Sequence, residues 1–126
     1  MGVFGFNGDE WRIIMDVKEL VAGREVDTLV AEKVMGLSVK ELKATGEWEY
    51  GNHRYSTDIS AAWQLVEILK QQSHCFELKW YDKHCFAWIG KSGDIPQYMD
   101  HYTGMAGTAP LAICRAALKL MEVNHG

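Results

Sequence analysis

The sequence predicts an α+β fold, a mostly antiparallel sheet of four to five strands with two to three helices packed on it. Three observations carry this. GREVDTLVAEKVMGL and YSTDISAAWQLVEILKQQ repeat their apolar residues at helical spacing. HCFELKWYDKHCFAWIG alternates around a two-residue turn, as a β-hairpin does. The chain has 126 residues, 48% of them hydrophobic and 24% charged, enough for one domain with a core of its own.

The first element admits two readings. Asn7-Gly8 is a hairpin turn signal between Val3–Phe6 and Trp11–Ile14. Asp9 serves equally as the N-cap of a helix running through Leu20. Further along, Val26, Leu29, Val30 and Val34 form a helical stripe that Gly36 terminates. LSVKELKA and EWEY then alternate like strands around a Thr45-Gly46 turn. In the next helix Thr57 or Ser56 is the expected cap and Asp58 suits the first turn, with Ile59, Ala62, Trp63, Val66 and Leu69 as the apolar face.

With Asp82-Lys83 as the hairpin turn, Trp80 opposes Cys85, Leu78 opposes Ala87 and Phe76 opposes Ile89, all on one apolar face. The other face pairs Glu77 with Trp88, Lys79 with Phe86 and Tyr81 with His84, and its two rings call for a cover. IPQYMDHYT reads as an edge strand, followed by a glycine-containing loop, TGMAG. Thr108 caps the last helix, APLAICRAALKLMEV, which buries Leu111, Cys114, Leu118 and Met121. Trp63 and Trp80 are read as core.

Three strings, GREVDTLVAEKVMGL, YSTDISAAWQLVEIL and TAPLAICRAALKL, resemble in order and spacing the signature segments of the phage ABA sandwich domain family. The resemblance implies an α-β-α sandwich, with helices on both faces of an antiparallel sheet. It runs from about Met15 to the C-terminus, which divides the chain into an extension over 1–14 and a single domain over 15–126. The extension is an extra element or upstream sequence read from an earlier start. The family carries no settled activity, so the resemblance brings no catalytic residue.

Composition narrows the function classes. The net charge of -4 disfavours nucleic acid as the main partner, because that affinity comes from Lys and Arg neutralising phosphates. No apolar run approaches the roughly 20 residues of a membrane span, and the opening MGVFGFNGDEW lacks the cationic and apolar regions of a signal peptide. The expected location is therefore the host bacterial cytoplasm. The three cysteines, Cys75, Cys85 and Cys114, are unclustered and read as packed thiols. Cys75 and Cys85 point to opposite faces of the hairpin, so His74-Cys75 and His84-Cys85 do not make a zinc site. No cofactor is expected. Neither a G-x-S-x-G elbow nor an H-E-x-x-H helix is present, and no catalytic residue is assigned.

The anion-ready feature is the start of the last helix. TGMAGTAP brings Gly104 and Gly107 to a helix opening with no carboxylate in its first turn, and Arg115 follows on that helix. Asp58 already supplies negative charge at the opening of the YSTD helix and disfavours an anion there. Aromatic rings in loops and short strands offer stacking surfaces. The candidate ligand residues are Tyr55, Ser56, Trp88, Tyr98, Tyr102, Thr103, Gly104, Gly107, Thr108 and Arg115.

The expected function is non-enzymatic capture of a small phosphorylated, nucleotide-like ligand by a homo-oligomer. By analogy with other small phage proteins, that ligand is a host immune signal such as a cyclic nucleotide or an ADP-ribose derivative. A protein–protein module that inhibits a host factor is the first alternative. A small nucleotide hydrolase is the second.

Overall fold

The computed structural model describes residues 20–50, 53–72, 74–91 and 102–125. Five helices and a three-stranded antiparallel sheet, ordered β1-β2-β3, are formed by these residues. The N-terminal hairpin-or-helix alternative, the IPQYMDH part of the expected edge strand and Tyr98 lie outside them.

Helix α1 (Arg24–Lys33) buries Val26, Leu29, Val30 and Ala31, as its periodicity requires. Gly23 precedes it at φ 152, a backbone region that glycine alone enters without strain. Past its end, Gly36 takes the left-handed conformation at φ 70, and Leu37 N–H returns to the Ala31 carbonyl at 2.9 Å.

The next two elements correct the sequence reading. LSVKELKA is not a strand but helix α2 (Val39–Thr45), and EWEY is a single helical turn, α3 (Glu47–Tyr50). Ser38 caps α2, its Oγ accepting from Glu41 N–H at 3.4 Å, and left-handed Gly46 closes it. Apparent alternation over so short a run is weaker than a Ser-x-x-Glu cap followed by apolar residues three apart, Val39 and Leu42. These two segments account for most of the shortfall from the four to five strands expected.

Helix α4 (Ile59–Gln71) starts at Asp58, whose carboxylate accepts from Ser60 N–H at 2.8 Å. The expected caps, Thr57 and Ser56, do not perform that role. Its buried face is Ala61, Ala62, Leu65, Val66 and Leu69. That face is turned from the expected one, leaving Ile59 and Trp63 exposed.

β1 (His74–Tyr81) and β2 (His84–Lys91) pair in the register read from the sequence, including Trp80↔Cys85, Leu78↔Ala87 and Phe76↔Ile89. TGMAG is not a loop: β3 (Tyr102–Ala106) pairs through Gly104↔Ala87 and Met105↔Phe86. Helix α5 (Ala109–His125) then lies back across the sheet.

The core sits between the sheet and these helices. Cys85, Ala87 and Ile89 on the inner face are fully buried, as are Ala112, Ile113, Ala116, Ala117 and Leu118 of α5. A Cβ on Gly104 would stand 2.2 Å from the Ala112 carbonyl oxygen and 2.5 Å from Ala116 N. This glycine lets β3 lie directly on the helix backbone. α4 joins the same face, its Trp63 ring edge-on to Phe76 with centroids 5.7 Å apart. α1 packs in turn on α5. The outer face carries Glu77, Lys79, Tyr81, His84 and Met105 exposed, with Phe86 and Trp88 half-buried. The Trp88 ring folds over Gly90, where an added Cβ would meet it at 2.6 Å.

Candidate functional site

A polar knot fixes the region where α1 begins. Asp27, on the rim of α1's apolar stripe, is buried, and its Oδ1 accepts from Ser56 N–H at 2.9 Å and from Ser56 Oγ at 2.7 Å. Ser56 Oγ also accepts from Gly23 N–H at 2.9 Å. One carboxylate and one hydroxyl thereby tie the opening of α1 to the turn before α4, 33 residues away.

Aromatic packing adjoins the knot. Tyr55 is buried, and its hydroxyl is hydrogen-bonded to His53 Nδ1 at 3.2 Å. The His53 ring stacks on Trp48 of α3, centroids 5.0 Å apart and planes 7° from parallel. Burial pushes the Tyr55 hydroxyl pKa up, and the nearby Asp27 charge and then Cys114 add to it. Burial, then Asp27, also drives the Cys114 thiol pKa far up, and burial alone raises that of Cys85. Both thiols are therefore inert packing groups at neutral pH.

Beside these residues opens a cleft of about 280 Å³, lined by Gly23, Arg24, Asp27, Trp48, Glu49, His53, Arg54 and Thr57. Arg24 and Arg54 are exposed at its sides. Among the described residues neither guanidinium has an ion-pair or hydrogen-bond partner. Glu49 is the exposed carboxylate of the cleft, while Asp27 turns its charge inward to Ser56. The arrangement offers two forked cationic donors, the half-buried His53 ring backed by buried Trp48, and one carboxylate acceptor. Among the described residues no group of three or more metal-ligating side chains comes together.

The residues singled out from the sequence do not converge. Tyr55 and Ser56 adjoin the cleft but are buried in the packing just described, and do not line it. Thr103 and Trp88 face each other across β2 and β3 on the outer sheet face, half-buried. Tyr102 opens β3 at its first residue. Gly104 is pressed against α5 rather than open to a ligand, which removes it from any phosphate cradle. Gly107 and Thr108 are exposed before α5, and Thr108 O accepts from Ala112 N–H at 3.1 Å. Arg115 is committed to carbonyls: its Nε and Nη2 donate to Leu20 O at 3.0 and 2.6 Å, and its Nη1 donates to Met105 O at 2.6 Å. It latches the segment before α1 to β3 and is not poised over the α5 opening.

The sequence reading missed Arg24, Asp27, His53 and Arg54. A signal for Asp27 was present, a carboxylate beside a buried helical stripe, which demands a donor from elsewhere in the chain. Nothing local linked that donor to Ser56.

Fold and cleft together define a small α+β domain in which, among the described residues, α4 and α5 pack on the inner face of an antiparallel sheet and a polar cleft opens beside α1. The chain belongs to the phage ABA sandwich domain family, whose model matches residues 28–118. No curated protein and no solved structure matches it. No helix among the described residues is long and apolar enough to cross a membrane.

Proposed function

We propose that the protein is a non-enzymatic binding protein whose cleft at the opening of α1 captures a small phosphorylated, nucleotide-like ligand. The observation that carries this reading is the pair of exposed guanidiniums, Arg24 and Arg54, which have no partner among the described residues, beside the His53 ring stacked on Trp48. Guanidinium forks match phosphate oxygens two at a time, and the half-buried His53 ring, held flat by Trp48, suits a base. Glu49 accepts from a ribose hydroxyl or a base amino group. A mixed cleft of this kind favours a ligand that carries both a phosphate and donor groups over a bare anion. Its volume of about 280 Å³ is at the small end for ligand sites, which fits one nucleotide unit rather than two. Sequestration of a nucleotide-derived host signal is the role such capture serves in a phage protein, and of the two classes expected from the sequence the size of the cleft favours a cyclic mononucleotide over an ADP-ribose derivative.

Thermal-shift and calorimetric titration of the full chain with nucleoside monophosphates, cyclic nucleotides and ADP-ribose derivatives tests this. A binder raises the melting temperature, Arg54→Ala abolishes the rise, and the ligand returns intact after denaturation. A ligand at a hundredfold excess over its Kd stabilises by about 2.7 kcal/mol, several degrees for a domain of this size. No response to any panel member at millimolar concentration, or a response that persists in the Arg24→Ala/Arg54→Ala variant, rejects this site.

The outer sheet face favours a second reading, a module that inhibits a host protein. Met105 and Tyr81 stand exposed there beside half-buried Phe86 and Trp88. A host protein retained by the wild type and lost with Met105→Glu supports that reading. Equal retention by both excludes this face.

A further inference from the structure

We infer that β1 is a homodimer interface, pairing antiparallel with β1 of a second copy across a two-fold axis at Leu78. β1 lies at one edge of the sheet, and among the described residues no strand pairs with its outer side. Edge strands are protected by proline, a bulge, shortness, a covering segment or charges, and the charges of β1, Glu77 and Lys79, are of opposite sign and can pair with a second copy. Proline, bulge and shortness are all lacking in β1, which runs eight residues in unbroken register with β2.

Four of the six exposed large hydrophobic residues among the described ones lie on β1 or the neighbouring α4. Trp80 is 57% exposed, Tyr81 68%, and Ile59 and Trp63 of the neighbouring α4 47% and 45%. Ile59 and Trp63 are one helical turn apart, and Trp63 touches Phe76, so the patch is continuous from α4 onto β1.

The hairpin fixes which backbone groups are available. Asp82 and Lys83 form a two-residue turn closed by the pair Tyr81↔His84, and the closing pair of such a hairpin is hydrogen-bonded. Tyr81, Lys79, Glu77 and Cys75 therefore bond towards β2. Trp80, Leu78, Phe76 and His74 present their N–H and C=O groups to the open edge.

Charge and symmetry then select one register. Paired residues must point to the same face, which rules out any slip by one residue. With Leu78 opposite Leu78 of the second copy, Glu77 meets Lys79 of the other strand on the outer face, twice by symmetry. Phe76 meets the other Trp80 on the inner face, also twice. Sliding by two residues either way sets Glu77 against Glu77 or Lys79 against Lys79, a destabilising juxtaposition. Within one copy Glu77 and Lys79 already approach to 3.3 Å, so both lie on the face where the cross-strand pairs would form. The two-fold axis stands perpendicular to the sheet, which keeps both sets of helices on one side. The two α4 helices flank it, and Trp63 and Trp80 become covered. The contact is isologous and closed, as soluble homodimers require.

Sedimentation of the full chain tests this with charge reversal at two exposed positions that the core does not use. The wild type runs as a dimer. Glu77→Lys and Lys79→Glu each set like charges opposite one another at both symmetric sites and raise the dimer dissociation constant roughly ten- to hundredfold. The double variant Glu77→Lys/Lys79→Glu restores opposite charges and returns the constant towards that of the wild type. Unchanged far-ultraviolet circular dichroism confirms that each variant is folded. A wild-type chain that is monomeric at high concentration overturns the proposal. So does a dimer that either single reversal leaves intact.

Discussion

Asp27 shows how a single residue organises this molecule. A carboxylate buried beside an apolar stripe is unfavourable unless donors reach it, and Ser56 supplies two, from its N–H and its Oγ. Asp27→Ala leaves a buried amide and hydroxyl short of their acceptor. It should lower unfolding free energy by about 1.5–3 kcal/mol, the range for hydrogen bonds to charged groups. Ser56→Ala should cost less and, combined with Asp27→Ala, add little, because both changes break the same knot. Urea denaturation of the four proteins in the cycle measures this. Additive losses would show that the two residues act separately.

Other residues were legible from sequence in kind but not in role. Ser56 is a poor core residue by composition, and its local setting, just before a helix, points to capping. Asp58 takes that place two residues nearer the helix, with its carboxylate 2.8 Å from Ser60 N–H. Arg115 was legible as a cation on the helix after TGMAGTAP, where it reads as a ligand residue. Its three donors instead close on the backbone of Leu20 and Met105. In both cases the partner is remote in sequence.

Among the elements, the hairpin was readable to the residue because its two-residue turn fixes the register and the alternation runs through both strands. α4 was readable as a helix, but the orientation of its buried face was not. Ile59 and Trp63 fit the apolar stripe as well as Ala61 and Leu65 do, and the packing partner chose between them. α2 was misread because its seven residues are too few for alternation and helical spacing to separate. The Ser38-x-x-Glu41 cap was the better guide.

The β3–α5 junction carries a prediction at the same scale. Gly104→Ala places a Cβ inside contact distance of two backbone atoms of α5, and a rigid helix backbone cannot move aside as a side chain does. About 1–3 kcal/mol of destabilisation follows, typical of overpacking. Gly107→Ala, three residues on, meets nothing within 4 Å and should change stability by less than about 0.5 kcal/mol. Equal effects of the two substitutions, measured by chemical denaturation, would remove the close approach of β3 to α5 as the reason for glycine at 104.

For the whole molecule, the buried titratable groups of the core set its response to alkali. Cys85, Cys114 and Tyr55 all have pKa values raised above their ordinary 9.0, 9.0 and 10.0. The native state therefore keeps protons that the unfolded chain releases, and stability falls as pH rises wherever the unfolded state binds fewer protons. Stability from these groups is fully present below about pH 8 and declines from roughly pH 9 upwards, as the unfolded thiols and then the phenol ionise. Denaturation midpoints measured from pH 7 to 10.5 should show this decline, and Cys114→Ala should flatten it. Cys85 and Cys114 should react with a thiol reagent only at the rate of unfolding.

Sequence by itself determined what depends on near neighbours. It gave α1, α4 and α5 their helical periods, β1 and β2 their register, and the three segments that mark the family. Such features are written by turn chemistry and by apolar spacing over a few residues, where every interacting partner is visible in one stretch of chain. Only the tertiary structure decided that TGMAG is a strand seated on α5, that Arg115 is a latch, and that a cleft opens between Arg24 and Arg54. Each of these rests on contacts between segments tens of residues apart, and a local pattern cannot specify which distant backbone oxygen or side chain will satisfy a buried polar group.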